Sequence, residues 1–216
     1  MSKAYTPHEC CDLIGVLEAR FGLDAAAVLL GLQTVLVFGL VGIALATLYS
    51  LPKVELAARG IGEASVAIAF GVLPVSGAAW LQSGIIDPAS ILISIPVSIW
   101  VAAILLINEV PDLAADAAAG KRTLVVRLGV NGTRRLYLAL QVTAILSFLA
   151  AGALGFLPWW ASLVSLLLVP GVLKATNGIN DSGNRAALTR SIEATLGLHT
   201  VGCALLIVAT LLGLIF

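Results

Sequence analysis

Long uncharged stretches alternate with short charged ones along this chain of 216 residues. A helix that crosses a membrane needs about 20 mostly apolar residues, because the hydrocarbon core is about 30 Å thick. Three stretches of suitable length hold one such helix each, a fourth is too long for one crossing, and a fifth closes the chain. In order, these stretches are residues 25–52, 64–86, 88–108, 136–173 and 194–216.

The fourth stretch, residues 136–173, predicts two helices. Gly155 and Pro158 interrupt it near its middle, and both residues favour turns. Trp159 and Trp160 follow directly, and tryptophan is enriched where a helix meets the lipid headgroups. The pattern as a whole therefore predicts six membrane-spanning helices.

Composition agrees with a protein embedded in a lipid bilayer. Hydrophobic residues make up 60% of the chain and charged residues only 11%, whereas soluble domains carry about 25% charged residues. The formal net charge is zero and no polybasic tract occurs, which excludes nucleic acid as a main partner. The predicted fold class is an all-α, multi-spanning transmembrane helical bundle.

The basic residues predict how the helices are oriented. Ten of the 12 lysine and arginine residues fall in three alternate connections, residues 50–63, 108–135 and 174–193. The intervening connections, near residues 82–88 and 155–158, hold none. Because basic loops stay on the cytoplasmic side, we expect these three connections to face the cytoplasm from the cell (inner) membrane.

The chain is expected to have two parts. Residues 1–24 are polar enough to form an interfacial segment or the remnant of a further helix, and residues 25–216 form the transmembrane domain. His8, Cys10 and Cys11 offer no fourth ligand at a usable spacing for a metal, so a mobile terminus is favoured there.

The most informative polar residues follow the third predicted helix. Asn108, Asp112 and Asp116 are spaced four residues apart, so on a helix they share one face. Two carboxylates one turn apart repel unless a cation lies between them, and Mg²⁺ typically takes one or two carboxylates together with substrate phosphates. The spacing supports a site for a cation or a diphosphate.

Cationic side chains come soon afterwards. Lys121 and Arg122 follow Gly120, a natural helix terminus, and could hold phosphate groups. Pro111 should kink or restart the helix beside the two aspartates, because it lacks a backbone N–H. An alternative stays open: charged residues are common wherever a membrane helix reaches water.

The segment from Asn108 to Gly129 resembles the second aspartate-rich motif of the UbiA-type intramembrane aromatic prenyltransferases. Its continuation from Gly120 through Gly129 is most similar to the branch that prenylates 1,4-dihydroxy-2-naphthoate in menaquinone synthesis. Weaker similarities lie upstream, at Tyr49-Ser50, Pro52-Lys53, Gly60-Ile61-Gly62-Glu63, Phe70 to Val75 and Gln82-Ser83-Gly84.

The resemblance implies a bundle of nine membrane helices, of which this chain would supply the last six, around a cavity open to the cytoplasm. It implies that Asp112 and Asp116 bind Mg²⁺ with Asn108 in support. It also implies that Lys121, Arg122 and Arg127 bind the diphosphate of a polyprenyl donor. The second substrate would be an aromatic acceptor, with hydroxybenzoate, homogentisate and chlorophyll-type acceptors open beside the naphthoate.

The sequence departs from the family pattern at its N-terminal end. The family has a first aspartate motif of the form N-D-x-x-D, and Glu9 and Asp12, the clustered acids upstream, do not match it. We therefore expect one Mg²⁺ instead of two. The alternative function is a catalytically inactive or truncated homologue that binds isoprenoid diphosphates or quinones, or acts as a membrane scaffold. The oligomeric state is open.

Overall fold

The computed structural model describes residues 25–181 and 183–213, and every regular element within these ranges is helical. The segment expected at residues 1–24, with His8, Cys10, Cys11 and the clustered acids Glu9 and Asp12, lies outside the described residues. The helices are α1 (Ala25–Ser50), α2 (Gly62–Ser83), α3 (Pro88–Asn108), α4 (Leu113–Ala118), α5 (Leu124–Ala153), α6 (Trp159–Asn180) and α7 (Arg185–Gly213).

Six of these helices, all except the short α4, are long and apolar enough to cross a membrane. The predicted all-α class and the number of spans are therefore confirmed for the described residues. The turn that divides the fourth apolar stretch lies where Gly155 and Pro158 indicate, between α5 and α6, and Gly155 has a left-handed backbone with φ 78°. The chain is an integral membrane protein.

Two helices begin earlier than the apolar stretches that predicted them. The stretches begin at residues 136 and 194, whereas α5 begins at Leu124 and α7 at Arg185. Charge-free stretches mark only the part of a helix that lies in hydrocarbon, and a helix continues into the headgroup region and water with charged residues on its surface. Arg134, Arg135 and Arg190 lie on such extensions.

The chain divides into two compact units between Val41 and Gly42. Within the described residues, the first unit consists of the N-terminal part of α1. The second unit contains the end of α1 and all of α2 to α7. In this second unit α3 packs against α2, α5 and α7, and α6 packs against α5 and α7.

The core of the second unit lies where α3, α5, α6 and α7 meet, around large side chains that are almost fully buried. Small residues let these helices approach closely, as is common in membranes. The clearest case is Gly202 on α7, where a Cβ atom would lie 2.4 Å from the indole ring of Trp100 on α3. The largest buried side chains include Trp100, Tyr137, Phe148, Leu106 and Ile179.

Candidate functional site

The predicted aspartate segment forms a helix end, a turn and a short second helix. Helix α3 ends at Asn108, and Pro111 lies in the turn that follows. Asp112 precedes α4, and the backbone N–H of Asp116 donates to the carbonyl oxygen of Asp112 at 2.8 Å. The restart that Pro111 predicted is confirmed. The expectation of a single helical face from Asn108 to Asp116 is wrong, because the helix is interrupted, but the one-turn spacing of the two aspartates is kept.

Asn108, Asp112 and Asp116 nevertheless line one cavity, which we call the aspartate cavity. Its volume is about 470 Å³. The end of α1, the loop after α1, the end of α3, and the segment around α4 supply its walls. The lining residues are Tyr49, Ser50, Glu55, Ala57, Ala58, Leu105, Asn108, Glu109, Asp112, Asp116, Lys121 and Thr123.

Lys121 lies in the same cavity and pairs with one of the aspartates. Its Nζ donates a hydrogen bond of 2.7 Å to Oδ1 of Asp116. This hydrogen bond and the negative charge of Asp116 raise the pKa of Lys121 above its ordinary value. Gly120 ends the segment with a left-handed backbone, φ 74°, which is the role its position predicted.

The other two predicted cationic residues, Arg122 and Arg127, line a second cavity of about 540 Å³, which we call the cationic cavity. Lys121 and Glu55 belong to both cavities, so the two adjoin. The structure therefore brings Asn108, Asp112, Asp116 and Lys121 together around one space. The lining of the cationic cavity is Glu55, Ala58, Arg59, Ile61, Ala119, Gly120, Lys121, Arg122 and Arg127.

Two nitrogens of the Arg127 guanidinium group donate to backbone oxygens. Its Nε donates to the carbonyl oxygen of Arg122 at 2.9 Å, and its Nη2 donates to the carbonyl oxygen of Arg59. The N–H of Arg122 also donates to the carbonyl oxygen of Ala58 at 2.8 Å. Arg127 thus joins the loop after α1 to the loop before α5, and both loops border the cavities.

A third cavity, of about 540 Å³, has a mostly apolar lining, and we call it the apolar cavity. Tyr49 lines both the apolar cavity and the aspartate cavity. The apolar cavity is lined by Gly42, Leu45, Ala46, Tyr49, Ser65, Val66, Ala69 and Phe70.

Two glutamates beside the aspartate cavity were not among the predicted site residues. Glu109 lines the cavity, and Glu63, near the start of α2, is 6% exposed. Burial raises the pKa of Glu109 to about 7, and the nearby carboxyl group of Glu63 adds to the increase. In the sequence, the position of Glu109 directly after Asn108 indicates that it could lie at the site. No local pattern indicates that Glu63 lies near Glu109.

The oxygen donors of the aspartate cavity fit a hard divalent ion that also binds phosphate. Within residues 25–181 and 183–213, no group of three or more histidine, cysteine, aspartate or glutamate side chains could hold a metal alone. Two carboxylates that face one cavity match the ligand set usual for Mg²⁺, which keeps several waters and takes its remaining ligands from substrate phosphates. Such an ion would depend on the diphosphate for much of its coordination.

Comparison with known proteins gives one consistent family. The model of the UbiA prenyltransferase family matches residues 19–192. A 1,4-dihydroxy-2-naphthoate octaprenyltransferase of Haemophilus influenzae is 36% identical over 121 residues, which are 56% of this chain and 39% of the relative. The protein of the same name from Bacillus subtilis is 31% identical over 173 residues, 76% of this chain and 54% of the relative.

A third relative extends the match along the chain. The 1,4-dihydroxy-2-naphthoate octaprenyltransferase of Mycobacterium leprae is 29% identical over 187 residues, which are 86% of this chain and 62% of the relative. The chain spans about half the length of the curated relatives it matches. No solved structure matches it.

Proposed function

The chain belongs to the UbiA prenyltransferase family, and from that premise we propose that it transfers a polyprenyl group from a polyprenyl diphosphate to an aromatic acceptor. The preferred acceptor is 1,4-dihydroxy-2-naphthoate, which appears in the names of several relatives. The reaction breaks the bond between the allylic carbon and the diphosphate oxygen and forms a bond between that carbon and a ring carbon.

One observation carries the proposal: a charged cavity and an apolar cavity share Tyr49 as a common wall. A polyprenyl diphosphate has the same two parts, a highly charged head and a hydrocarbon tail. Asn108, Asp112 and Asp116 border the first cavity, and side chains such as Leu45 and Phe70 border the second. The arrangement suits a donor whose reactive carbon lies near Tyr49.

The donor head would bind between carboxylates and cations. Asp112 and Asp116 would hold Mg²⁺, and Asn108 would support the diphosphate through its amide group. Lys121, already at the cavity, would contribute a positive charge to the diphosphate, and Arg122 would approach from the adjoining cationic cavity. Arg127 holds the loops of this site through Nε and Nη2, and we expect its positive charge to act on the diphosphate from the adjoining cationic cavity.

These residues would assist the reaction by stabilising the leaving group. When bound, Mg²⁺ supplies a positive charge that neutralises the diphosphate as the carbon–oxygen bond breaks. Lys121 and Arg122 would stabilise the same developing negative charge from the walls of the two cavities. The diphosphate leaves with the electron pair, the ring attacks the allylic carbon, and the ring then loses a proton or a carboxyl group. The apolar walls keep water from the allylic carbon.

The side of the membrane is also proposed. Both loops that border the aspartate cavity, residues 51–61 and 109–123, belong to the connections rich in lysine and arginine. The positive-inside rule therefore supports a site that opens to the cytoplasm from the cell's inner membrane.

The test is an assay on membranes that contain the chain. Labelled polyprenyl diphosphate, 1,4-dihydroxy-2-naphthoate and Mg²⁺ are incubated with the wild type, Asp112→Asn and Asp116→Asn. We expect product from the wild type and a loss of about 100-fold or more in each variant, because each removes a carboxylate that would hold the Mg²⁺ that stabilises the leaving group. Asp181→Asn is the control, since Asp181 is an exposed residue beyond the end of α6.

Absence of product from the wild type, or activity that is unchanged in both aspartate variants, would contradict the proposal. Binding of the labelled diphosphate without transfer would instead favour the alternative, a homologue that binds isoprenoid diphosphates without catalysis. The same assay without added Mg²⁺ and with EDTA tests the metal: activity should disappear and return when Mg²⁺ is restored.

A further inference from the structure

The carboxyl groups of Glu63 and Glu109 form a pair that the proposed donor site does not use. Glu63 is almost completely buried at the start of α2, and Glu109 lies at the wall of the aspartate cavity. Each group interacts electrostatically with the other, so the two carboxyls lie close together. Glu63 lies on α2 and Glu109 directly after α3, so only the fold brings them together.

Each glutamate has one buried oxygen atom that lacks a hydrogen-bond donor. These atoms are Oε1 of Glu63 and Oε2 of Glu109, and neither finds a partner among the residues that the structure describes. Buried polar atoms are almost always hydrogen-bonded, so two unsatisfied atoms in neighbouring carboxyl groups need an explanation. A carboxylate oxygen only accepts, and two of them can bond to one another when they hold a proton between them.

The second oxygen of Glu109 is in a different position. Only Oε2 of this residue is among the buried unsatisfied atoms, and Glu109 lines the aspartate cavity. The carboxyl group of Glu109 therefore borders the space that a bound molecule would occupy, with Oε2 as its inner, buried oxygen.

Tyr49 marks where this pair lies relative to the two cavities. Its ring lines both cavities, and the charges of Glu109 and Glu63 both act on its hydroxyl group. The start of α2 lies beside this ring, since a Cβ atom on Gly62 would lie 3.5 Å from Cε2 of Tyr49. Glu63 follows Gly62, so the glutamate pair lies at the junction where the reactive end of the donor is proposed to bind.

The chemistry of the two substrates indicates which of them the pair suits. An ionised diphosphate offers only acceptor oxygens, so it has no hydrogen to donate to a carboxylate oxygen. A polyprenyl tail offers no hydrogen-bond donor. A hydroxylated aromatic ring offers O–H donors on a flat apolar body, which suits an acceptor oxygen beside a tyrosine ring.

We propose that Glu109 recognises a hydroxyl group of the aromatic acceptor by accepting its hydrogen bond through Oε1, and that Glu63 is the positioning residue that orients Glu109 from behind. The inference rests on the proposed function, because it assigns the second substrate of that reaction to this pair. It makes the hydroxyl groups, and not only the flat ring, the feature by which the acceptor is selected.

The experiment measures binding, so that it does not require turnover. The dissociation constants of 1,4-dihydroxy-2-naphthoate and of 2-naphthoate, which lacks the ring hydroxyls, are measured on the purified full chain in nanodiscs without oxygen. The wild type should prefer the dihydroxy compound by about tenfold or more, because a site that hydrogen-bonds a hydroxyl group disfavours an analogue without it. Glu109→Leu should reduce this preference to less than about threefold.

The variants of Glu63 separate orientation from mere packing. Glu63→Gln keeps a donor N–H for the inner oxygen of Glu109, and we expect the preference to remain. Glu63→Leu removes that partner, and the preference should fall as it does in Glu109→Leu. Glu193→Gln, a change at an exposed residue of α7, is the control for loss of one carboxylate. Binding of inorganic diphosphate with Mg²⁺ and the thermal unfolding temperature report whether each variant is folded.

Each result bears on one of the two proposals. A preference that is equal in the wild type and in Glu109→Leu, with both proteins folded, overturns the inference even if product is formed. A wild type that binds the dihydroxy compound and 2-naphthoate equally well also overturns the inference. A wild type that binds the dihydroxy compound selectively through Glu109 but forms no product supports the inference and contradicts the proposed transfer reaction.

Discussion

The ammonium group of Lys121 and the carboxylate of Asp116 form an ion pair with an Nζ–Oδ1 distance of 2.7 Å at the wall of the aspartate cavity. The lysine side chain is 50% exposed and that of the aspartate is 15% exposed. Pairs of this kind contribute little to stability, since water and salt screen the attraction. The pair is therefore better placed to tune the charge of the cavity than to stabilise the fold.

The first prediction concerns Lys121→Gln. The variant should have nearly the same thermal unfolding temperature as the wild type, because the pair it breaks is exposed. It should raise the KM for the polyprenyl diphosphate about tenfold, because one positive charge near the diphosphate is lost. Steady-state kinetics on membranes and thermal unfolding in detergent measure the two quantities.

Lys174→Gln, on the exposed surface of α6, is the control for Lys121→Gln. If Lys121→Gln leaves the donor KM unchanged from the wild type, this would contradict a role for Lys121 in diphosphate binding.

The second prediction concerns Arg127, whose side chain donates to the carbonyl oxygens of Arg122 and Arg59. A lysine keeps the charge but cannot donate from two fixed nitrogens in this geometry. Arg127→Lys should therefore loosen both loops almost as much as Arg127→Ala does. Hydrogen exchange without added donor should become faster at residues 53–61 and 120–124 in both variants.

Arg135→Lys provides the matched control for Arg127, because Arg135 is an exposed arginine farther along α5. Its exchange pattern should equal that of the wild type. If Arg127→Lys also leaves exchange unchanged while raising the donor KM, Arg127 acts on the diphosphate through its charge, as the family resemblance implied.

The sequence predicted the number of spans and the aspartate segment because both depend on local patterns. Apolar stretches of sufficient length specify membrane helices, and Pro111 and Gly120 specify where helices restart and end. The pairing of Glu63 with Glu109 depends on contact between α2 and the end of α3, which no local pattern encodes. The contacts of Arg127 also depend on the fold. Its positive charge predicted that it binds phosphate, and no local pattern indicated that its Nε and Nη2 donate to backbone oxygens.

The third prediction is a pH dependence of stability that comes from Glu109. Burial, followed by the charge of Glu63, raises the pKa of Glu109 to about 7 from an ordinary value of 4.5. The folded chain therefore keeps a proton that the unfolded chain releases in this interval. The free energy of unfolding should decrease as pH rises from about 4.5 to about 7, and this contribution should level off above that range.

Unfolding is measured in detergent with EDTA, so that no divalent ion occupies the cavity, at several values between about pH 5 and pH 8. Glu109→Gln cannot ionise and should flatten the decrease. Glu193→Gln should keep it, because Glu193 is exposed on α7. A slope that is the same in Glu109→Gln and in the wild type would mean that other groups cause it.

The fourth prediction concerns the contact between Gly202 on α7 and Trp100 on α3. A Cβ atom at position 202 would lie 2.4 to 2.6 Å from three ring carbons of Trp100, and the indole is only 1% exposed. Because the ring is enclosed by the core, it cannot move aside freely, and Gly202→Ala should destabilise the chain by about 1–3 kcal/mol.

Gly197→Ala on the same helix is the control, since nothing lies within 4 Å of its Cβ position. There the change should be neutral or stabilising by up to about 1 kcal/mol, because alanine is the better helix former. Thermal unfolding in one detergent measures both variants, and equal stability of the two would mean that α3 and α7 do not pack as closely as the glycine permits.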